Sequence, residues 1–205
     1  SFYFIWRDSA FEAPETPRHN VDGEVFMVHG GFYYQVEKKK IAPGELPKTL
    51  HWFKWEATLT FISGFALFAY LYFLNDASLL IDKNVMQLNQ FEGIALSLIF
   101  IFGSWFVYDL LYNPDFIDKP KLSNLIAIPF FAAIIYGSSL VFSARGAFLL
   151  IGVIFGSSML LNVWVRILPG QAKMLKDAED GKVPDYSLSL KSKVRSVHNT
   201  YFIFP

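Results

Sequence analysis

The chain has 205 residues, with 18 Lys and Arg against 18 Asp and Glu, so its formal net charge is zero. Hydrophobic residues make up 53% and charged residues 18%, against roughly 25% charged residues in soluble domains. This composition excludes an intrinsically disordered chain and argues against a nucleic-acid binder, which would carry a basic excess. Because cysteine is absent, thiolate metal sites, thiol nucleophiles and attached c-type haem are excluded within these residues.

Both ends of the chain are apolar, with SFYFIW at positions 1–6 and TYFIFP at positions 200–205. Each run is typical of a transmembrane helix that has been cut short. The first run lacks the basic start and the small-residue cleavage site of a signal peptide. We therefore expect an internal piece of a longer protein, truncated at both ends, with partial spans at about 1–6 and 197–205.

The first predicted loop, 7–50, contains a hairpin signal. Two β-type runs surround Gly30 and Gly31 in the stretch GEVFMVHGGFYYQVEKKK. Two glycines suit a type I′ turn because both of its central residues need positive φ. An isolated hairpin is marginal in water, so we expect this one to pack on another part of the protein.

Four uncharged stretches follow, and each approaches the roughly 20 residues that a helix needs to cross a bilayer. With their flanks they predict spans at about 51–75, 89–112, 123–143 and 146–168. Asn89 and Glu92 fit a capping box opening the second of these, and Asn113 before Pro114 ends it. The predicted fold class is an all-α integral membrane protein: a single domain over 1–205, a polytopic bundle of four full and two truncated spans, with a cytoplasmic β-hairpin.

The basic residues predict the orientation of the spans. Successive loops alternate between two sides, and sixteen of the 18 Lys and Arg residues fall on one side, while Lys83 and Arg145 fall on the other. By the positive-inside rule the first side is cytoplasmic. Loops 7–50, 113–122 and 169–196 are then cytoplasmic, and the last contains a short predicted helix near Gln171–Asp180.

Polar residues of the spans gather at the cytoplasmic level, where each is costly in hydrocarbon and therefore a functional candidate. Asn162 and Arg166 are four apart and share a helix face, and His51, Lys54 and Trp55 share another. Tryptophan faces combined with an arginine and a histidine suit a flat, anionic heterocycle through stacking and bidentate hydrogen bonds. The other candidates at this level are Glu56, Asp109, Trp164, His198 and Asn199.

Each of these residues also has a structural interpretation. Lys54 and Arg166 can extend to lipid head groups, and tryptophans can anchor helix ends at the interface. Acidic side chains are too short to reach the lipid head groups in this way, which favours a functional role for Glu56 and Asp109. Two histidines on different spans also suit axial ligation of haem b, and the pair at similar depth is His51 and His198. The sequence contains no phosphate loop, metal-binding helix motif or nucleophile elbow.

Four stretches carry a resemblance to a known family, and they are Gly23–Ala57, Trp105–Tyr112, Leu161–Met174 and Lys191–Phe202. They include the strings HWFKWEA and LNVWVRILPGQAKM. The chain resembles the membrane domain of PuuD-type urate hydroxylases over essentially its whole length. The resemblance implies a bacterial inner-membrane enzyme that hydroxylates urate to 5-hydroxyisourate. It further implies electron transfer to a c-type cytochrome, with haem c in a C-terminal domain that this chain lacks.

On this basis the expected partners are urate, a c-type cytochrome and the lipid bilayer. The residues expected to bind urate are Lys54, Trp55, Asn162 and Arg166. The groups expected to accept a proton are Glu56, Asp109 or His198. If haem b is bound, its expected ligands are His51 and His198. The alternative functions are a haem-b electron-transfer or haem-handling subunit, and a purine transporter.

Overall fold

A computed structural model of the chain describes residues 2–112 and 120–203 and is mostly helical, with one antiparallel β-hairpin. The expected end of the 89–112 span at Asn113 and Pro114 lies outside the described residues. In chain order the elements are helix α1 (Phe2–Ala10), strands β1 (Val21–His29) and β2 (Phe32–Lys39), and helices α2 (Lys54–Tyr72), α3 (Gln90–Leu111), α4 (Pro120–Val141), α5 (Ala144–Glu179) and α6 (Ser187–Tyr201).

The chain divides into two compact units. The first comprises Ser1–His51 and Val165–Tyr201, and the second comprises Trp52–Trp164 and Phe202–Pro205. The division falls inside α5. The first unit therefore contains the hairpin and α6, whereas the second contains α2, α3 and α4.

The predicted hairpin is confirmed. Strands β1 and β2 pair antiparallel, and His29 opposite Phe32 closes a two-residue turn. Gly30 and Gly31 adopt φ of 62° and 81°, a region that favours glycine because it lacks a Cβ. At the base of the hairpin, the backbone of Glu12 pairs with β1, so the sheet does not stand alone.

Three helices of the described residues are long and apolar enough to cross a membrane: Gln90–Leu111, Leu122–Val141 and Ala144–Glu179. They overlap three of the four predicted full spans. The remaining predicted span, 51–75, coincides with α2. This helix is less apolar than the other three, because it has Lys54 and Glu56 in its first turn and Tyr70 and Tyr72 in its last.

The start of α3 is fixed by the predicted capping box. The Asn89 side chain accepts a hydrogen bond from the backbone N–H of Glu92, and the Glu92 carboxylate accepts one from the backbone N–H of Asn89, each at 2.9 Å. Two donors that a helix start leaves without partners are thereby satisfied. Further along, α3 contains a π-helical turn at Ile99–Gly103.

The apolar core of the second unit includes Leu80, Phe142 and Leu150, all fully buried. Leu80 belongs to the connection between α2 and α3, and its backbone lies directly against the start of α5. A Cβ at Gly146 would come within 2.9 Å of the Leu80 carbonyl oxygen, so only glycine permits this approach. Ser143 caps α5 by accepting a hydrogen bond from the Gly146 N–H at 3.0 Å.

Helix α5 continues beyond the predicted end of its span. The sequence separates a span ending near 168 from a short helix at 171–180, whereas the structure joins both through a π-helical turn at Asn162–Ile167. Pro169 lies two residues after this turn, where the α-helical hydrogen-bond ladder is already interrupted. The helix ends at Glu179, and Gly181 with φ of 75° follows it, which is typical of a helix C-terminus.

Candidate functional site

A lysine surrounded by tryptophan rings lies at the start of α2. The Lys54 Nζ atom lies 5.8 Å from the ring centroid of Trp52 and 5.7 Å from those of Trp55 and Trp164. These distances are within the range of about 6 Å over which a cation is attracted to an aromatic face. We call these four residues the tryptophan cage. It combines a positive charge with flat aromatic surfaces.

The tryptophan cage joins two helices through a threonine. The Trp164 indole N–H, from α5, donates a hydrogen bond of 2.7 Å to the Thr58 hydroxyl on α2. The same hydroxyl donates one of 2.6 Å to the backbone carbonyl of Lys54. Trp55 meets Trp164 edge to face, at 5.6 Å between centroids and 69° between planes. Since Trp55 is 58% exposed, the cage is accessible from outside this chain.

A fully buried amide connects α5 to α3 within the same unit. The Asn162 side-chain oxygen accepts a hydrogen bond of 3.3 Å from the Trp105 indole N–H, and its side-chain nitrogen donates one of 3.2 Å to the Tyr108 hydroxyl. Asn162 begins the π-helical turn of α5. Such turns occur frequently at functional sites because they change which side chains a helix presents. Asn162 and Trp164 both lie in this turn.

Aromatic rings surround the Tyr108 end of this hydrogen-bond network. The Tyr108 ring centroid lies 5.2 Å from that of Tyr112 and 5.3 Å from that of Phe202. The Tyr112 hydroxyl donates a hydrogen bond of 2.5 Å to the Asn124 side chain on α4. Asp109, the next residue after Tyr108, is also buried. The C-terminal end of α3 therefore lies among aromatic rings and buried polar groups.

Comparison with known proteins assigns the family. All residues of the chain, 1–205, match a family model described as urate oxidase N-terminal. The chain belongs to this family. Membership indicates an oxidoreductase that acts on urate, and it confirms the sequence resemblance at the level of a urate oxidase-type N-terminal domain. Neither the curated proteins nor the solved structures include a match to the chain.

Several residues predicted for the urate site of this urate oxidase-type domain lie in the second unit. Lys54 and Trp55 are brought together in the tryptophan cage, whereas Asn162 is part of the buried hydrogen-bond network. Asp109 is buried and Glu56 is exposed. Both ends of the Asn162 amide are used by Trp105 and Tyr108, so this side chain holds helices rather than facing an open surface.

The other predicted residues, His51, Arg166 and His198, belong to the first unit. His51 and Arg166 are exposed, and His198 is half-buried on α6. Asn162 and Arg166 therefore differ in environment, although α-helical spacing predicts one shared face. The reason is the π-helical turn between them, in which hydrogen bonds join residues five apart rather than four.

The structure also identifies residues that the sequence did not single out. Thr58 follows Lys54 by four residues, so helical spacing could have placed both on one face. On α6, Ser192 and Arg195 are buried together with Asn199, which is already a candidate from the sequence, at spacings of three and four that give one polar face. The sequence identifies Arg195 only as a basic residue, because residue type alone does not show whether an arginine is buried or solvated.

Within residues 2–112 and 120–203, no group of three or more His, Asp or Glu side chains is placed to hold a metal ion. His51, predicted as one haem-b ligand, is exposed and precedes α2, which begins at Lys54. His198, predicted as the other, is half-buried on α6. Ligation of haem b by this pair stays a prediction.

Proposed function

We propose that this chain is the membrane part of a bacterial inner-membrane oxidoreductase that hydroxylates urate to 5-hydroxyisourate and passes the electrons to a c-type cytochrome. The family match over residues 1–205 is the observation that carries the proposal. The resemblance to urate hydroxylases adds the product and the electron acceptor. The tryptophan cage supplies a chemically suitable place for the substrate.

The outer faces of the helices support a membrane location. Large apolar side chains on α4 and α5 are strongly exposed, among them Leu125 at 70%, Ile128 at 72% and Phe148 at 75%. In water each such side chain would forgo roughly 1.5–3 kcal/mol of burial free energy, whereas lipid tails solvate it. With α2 as the fourth full span, the basic loops lie on the cytoplasmic side.

Substrate binding follows from charge and shape. Urate is a flat heterocycle that carries one negative charge at neutral pH. In the proposed complex the Lys54 ammonium neutralises this charge, and the indole rings of Trp55 and Trp164 lie against the heterocycle. Arg166, whose guanidinium can form two parallel hydrogen bonds to an anionic edge, stays a predicted urate-binding residue. Asn162, also predicted to bind urate, connects α5 to α3 through Trp105 and Tyr108.

The proposed reaction balances with water as the oxygen donor. Urate and one water molecule give 5-hydroxyisourate, two protons and two electrons, with a new C–O bond at C5. Glu56, Asp109 or His198 accepts a proton from the attacking water or the ring. A c-type cytochrome supplies ferric haem that takes the electrons one at a time. The chain itself has no cysteine for haem attachment, so that acceptor belongs to a separate domain or protein.

The test uses the full natural protein in membrane vesicles with oxidised cytochrome c. Urate loss, 5-hydroxyisourate formation and cytochrome reduction are followed together. Lys54→Met retains length but loses the charge, and it should lower kcat/KM for urate about 10- to 100-fold, because a hydrogen bond to a charged group contributes roughly 1.5–3 kcal/mol. Lys48→Met removes an exposed lysine outside the tryptophan cage and should leave kcat/KM unchanged.

Each competing outcome is distinct. Urate uptake into vesicles without cytochrome reduction would identify a transporter and refute the proposed reaction. Cytochrome reduction that does not require urate would identify an electron-transfer subunit. Equal losses of kcat/KM in Lys54→Met and Lys48→Met would show that the tryptophan cage does not bind the substrate.

A further inference from the structure

The Thr58 hydroxyl is placed to control the orientation of Trp164. Thr58 is 9% exposed. It receives the indole N–H of Trp164 at 2.7 Å and gives its own proton to the Lys54 carbonyl at 2.6 Å. A hydroxyl has one proton to donate, and the bond to the Lys54 carbonyl uses it. The oxygen is consequently directed towards Trp164 as an acceptor.

This arrangement restricts an otherwise movable ring. A tryptophan side chain turns about two torsions, and a hydrogen bond at its N–H fixes both when the acceptor is itself fixed. Here the acceptor is held by the backbone at the first turn of α2. The ring of Trp164 is also 5.6 Å from that of Trp55 and 5.7 Å from the Lys54 Nζ atom. Trp164 is thereby preorganised, which lowers the entropic cost of binding a ligand.

We propose that Thr58 is a positioning residue, which holds the Trp164 indole as a flat surface against which the urate ring stacks beside Lys54. The inference rests on the proposed function. It adds a means of distinguishing substrate from product. Urate is planar, whereas hydroxylation makes C5 tetrahedral and bends the ring system. A fixed aromatic plane therefore stacks on urate better than on 5-hydroxyisourate, and this difference favours release of the product.

The test compares Thr58→Val, which keeps the shape but loses the hydroxyl, with Thr58→Ser, which keeps the hydroxyl. Thr58→Val should raise KM for urate about 3- to 10-fold with kcat changed less than about 2-fold, the size expected when an aromatic contact is misaligned. The ratio of the inhibition constant of 5-hydroxyisourate to the KM for urate should fall by a similar factor. Thr58→Ser should restore wild-type values for both.

A double-mutant cycle with Trp164→Phe supplies the second measurement. Phenylalanine keeps a ring but has no N–H, so Thr58→Val should add little to the KM of Trp164→Phe if both act through the same hydrogen bond. If Thr58→Val does not accumulate in membranes, Trp164→Phe alone carries the test. It should raise KM for urate about 3- to 10-fold with kcat changed less than about 2-fold, and a wild-type KM would overturn the positioning role.

The results separate this inference from the function on which it rests. No urate oxidation by the wild-type protein would overturn the proposed function itself. Urate oxidation with a wild-type KM in Thr58→Val would overturn the positioning role alone. So would additive effects in the cycle, or a Thr58→Ser variant as impaired as Thr58→Val.

Discussion

The two compact units of the chain are stabilised by different chemistry. In the first unit, charged side chains connect separate elements: Arg18 forms ion pairs with Glu24 and Glu37 of the hairpin, and Asp8 of α1 pairs with Lys38 and Lys193, each at 2.6 Å. These contacts tie α1 to both β2 and α6. Most of these side chains remain partly exposed, so solvent screens the ion pairs.

In the second unit, the helices are joined by aromatic rings and neutral hydrogen bonds. The bonds from Trp164 to Thr58, from Trp105 to Asn162 and from Tyr112 to Asn124 connect four helices. Stacked rings such as Phe68 and Tyr72, 5.0 Å apart, add to the packing. Neutral contacts of this kind respond little to salt or mild changes of pH.

The two kinds of contact suit different solvents. Ion pairs suit an aqueous compartment, where both partners stay hydrated, whereas a charge in hydrocarbon is costly. Neutral hydrogen bonds and aromatic contacts are the connections that a bilayer tolerates. Stability of the first unit should therefore depend on pH and salt, and that of the second should not.

The largest expected effect is on the buried amide. Asn162→Leu keeps a similar volume but leaves the Trp105 N–H and the Tyr108 hydroxyl without their partner. It should lower the free energy of unfolding by roughly 2–4 kcal/mol, because an unsatisfied buried group costs about 1–3 kcal/mol. Thermal unfolding in detergent measures the loss, which should be the same at low and high salt.

Ser139→Ala is the matched control for the amide. The Ser139 hydroxyl is exposed and donates to the Tyr136 carbonyl of its own helix. Its removal should change the free energy of unfolding by less than about 0.5 kcal/mol. A loss in Asn162→Leu that disappears at high salt would contradict the neutral character assigned to the second unit.

Much of the fold follows from local rules. The turn at Gly30 and Gly31 and the capping box of Asn89 and Glu92 were predictable because each depends on residues within four positions of one another. The apolar helices were predictable from composition. The two π-helical turns were not, because they depend on packing between helices rather than on a sequence signal.

The candidate site was predictable only in part for the same reason. Lys54 and Trp55 are neighbours in sequence, and their association follows from helix geometry. The contact of Thr58 with Trp164 joins residues 106 apart, so it depends on which helices are neighbours. Burial of Asn162 but not of Arg166 depends on the π-helical turn. Roles for the predicted catalytic residues stay predictions.

A smaller effect is expected in the hairpin turn. Gly30→Ala places a side chain at φ of 62°, where nothing lies within 4 Å of the new Cβ. The cost is therefore purely conformational, about 1–2 kcal/mol. Hydrogen exchange of the backbone amides in Val21–His29 should accelerate by the corresponding factor, because these amides are in the hairpin ladder.

Gly64→Ala in α2 is the counterpart in the second unit. It also meets open space, but its helical backbone suits alanine, so stability should be unchanged or rise by about 0.5–1 kcal/mol. Equal destabilisation by both substitutions would show that the positive φ of Gly30 adds no conformational cost.

The smallest expected effect is also the one that depends on pH. Burial alone would raise the pKa of Asp8, but hydrogen bonds and charges from Lys193 and Lys38 outweigh it and hold the pKa below the ordinary value of 3.8. Asp8→Asn should cost about 0.5–1.5 kcal/mol at neutral pH, a small amount because Lys38 and Lys193 are partly exposed and screened. Thermal unfolding in detergent at a series of pH values measures the difference from wild type.

The sign of the pH dependence follows from the lowered pKa of Asp8. A carboxylate whose pKa is lower in the folded state contributes stability that is fully present above its ordinary value and is lost as pH falls through the folded value. The wild-type advantage over Asp8→Asn should thus be constant at pH well above 3.8 and shrink below it. High salt should shrink it as well. The advantage of wild type over Asn162→Leu should show neither trend, and a parallel decline in both would remove the distinction between the two units.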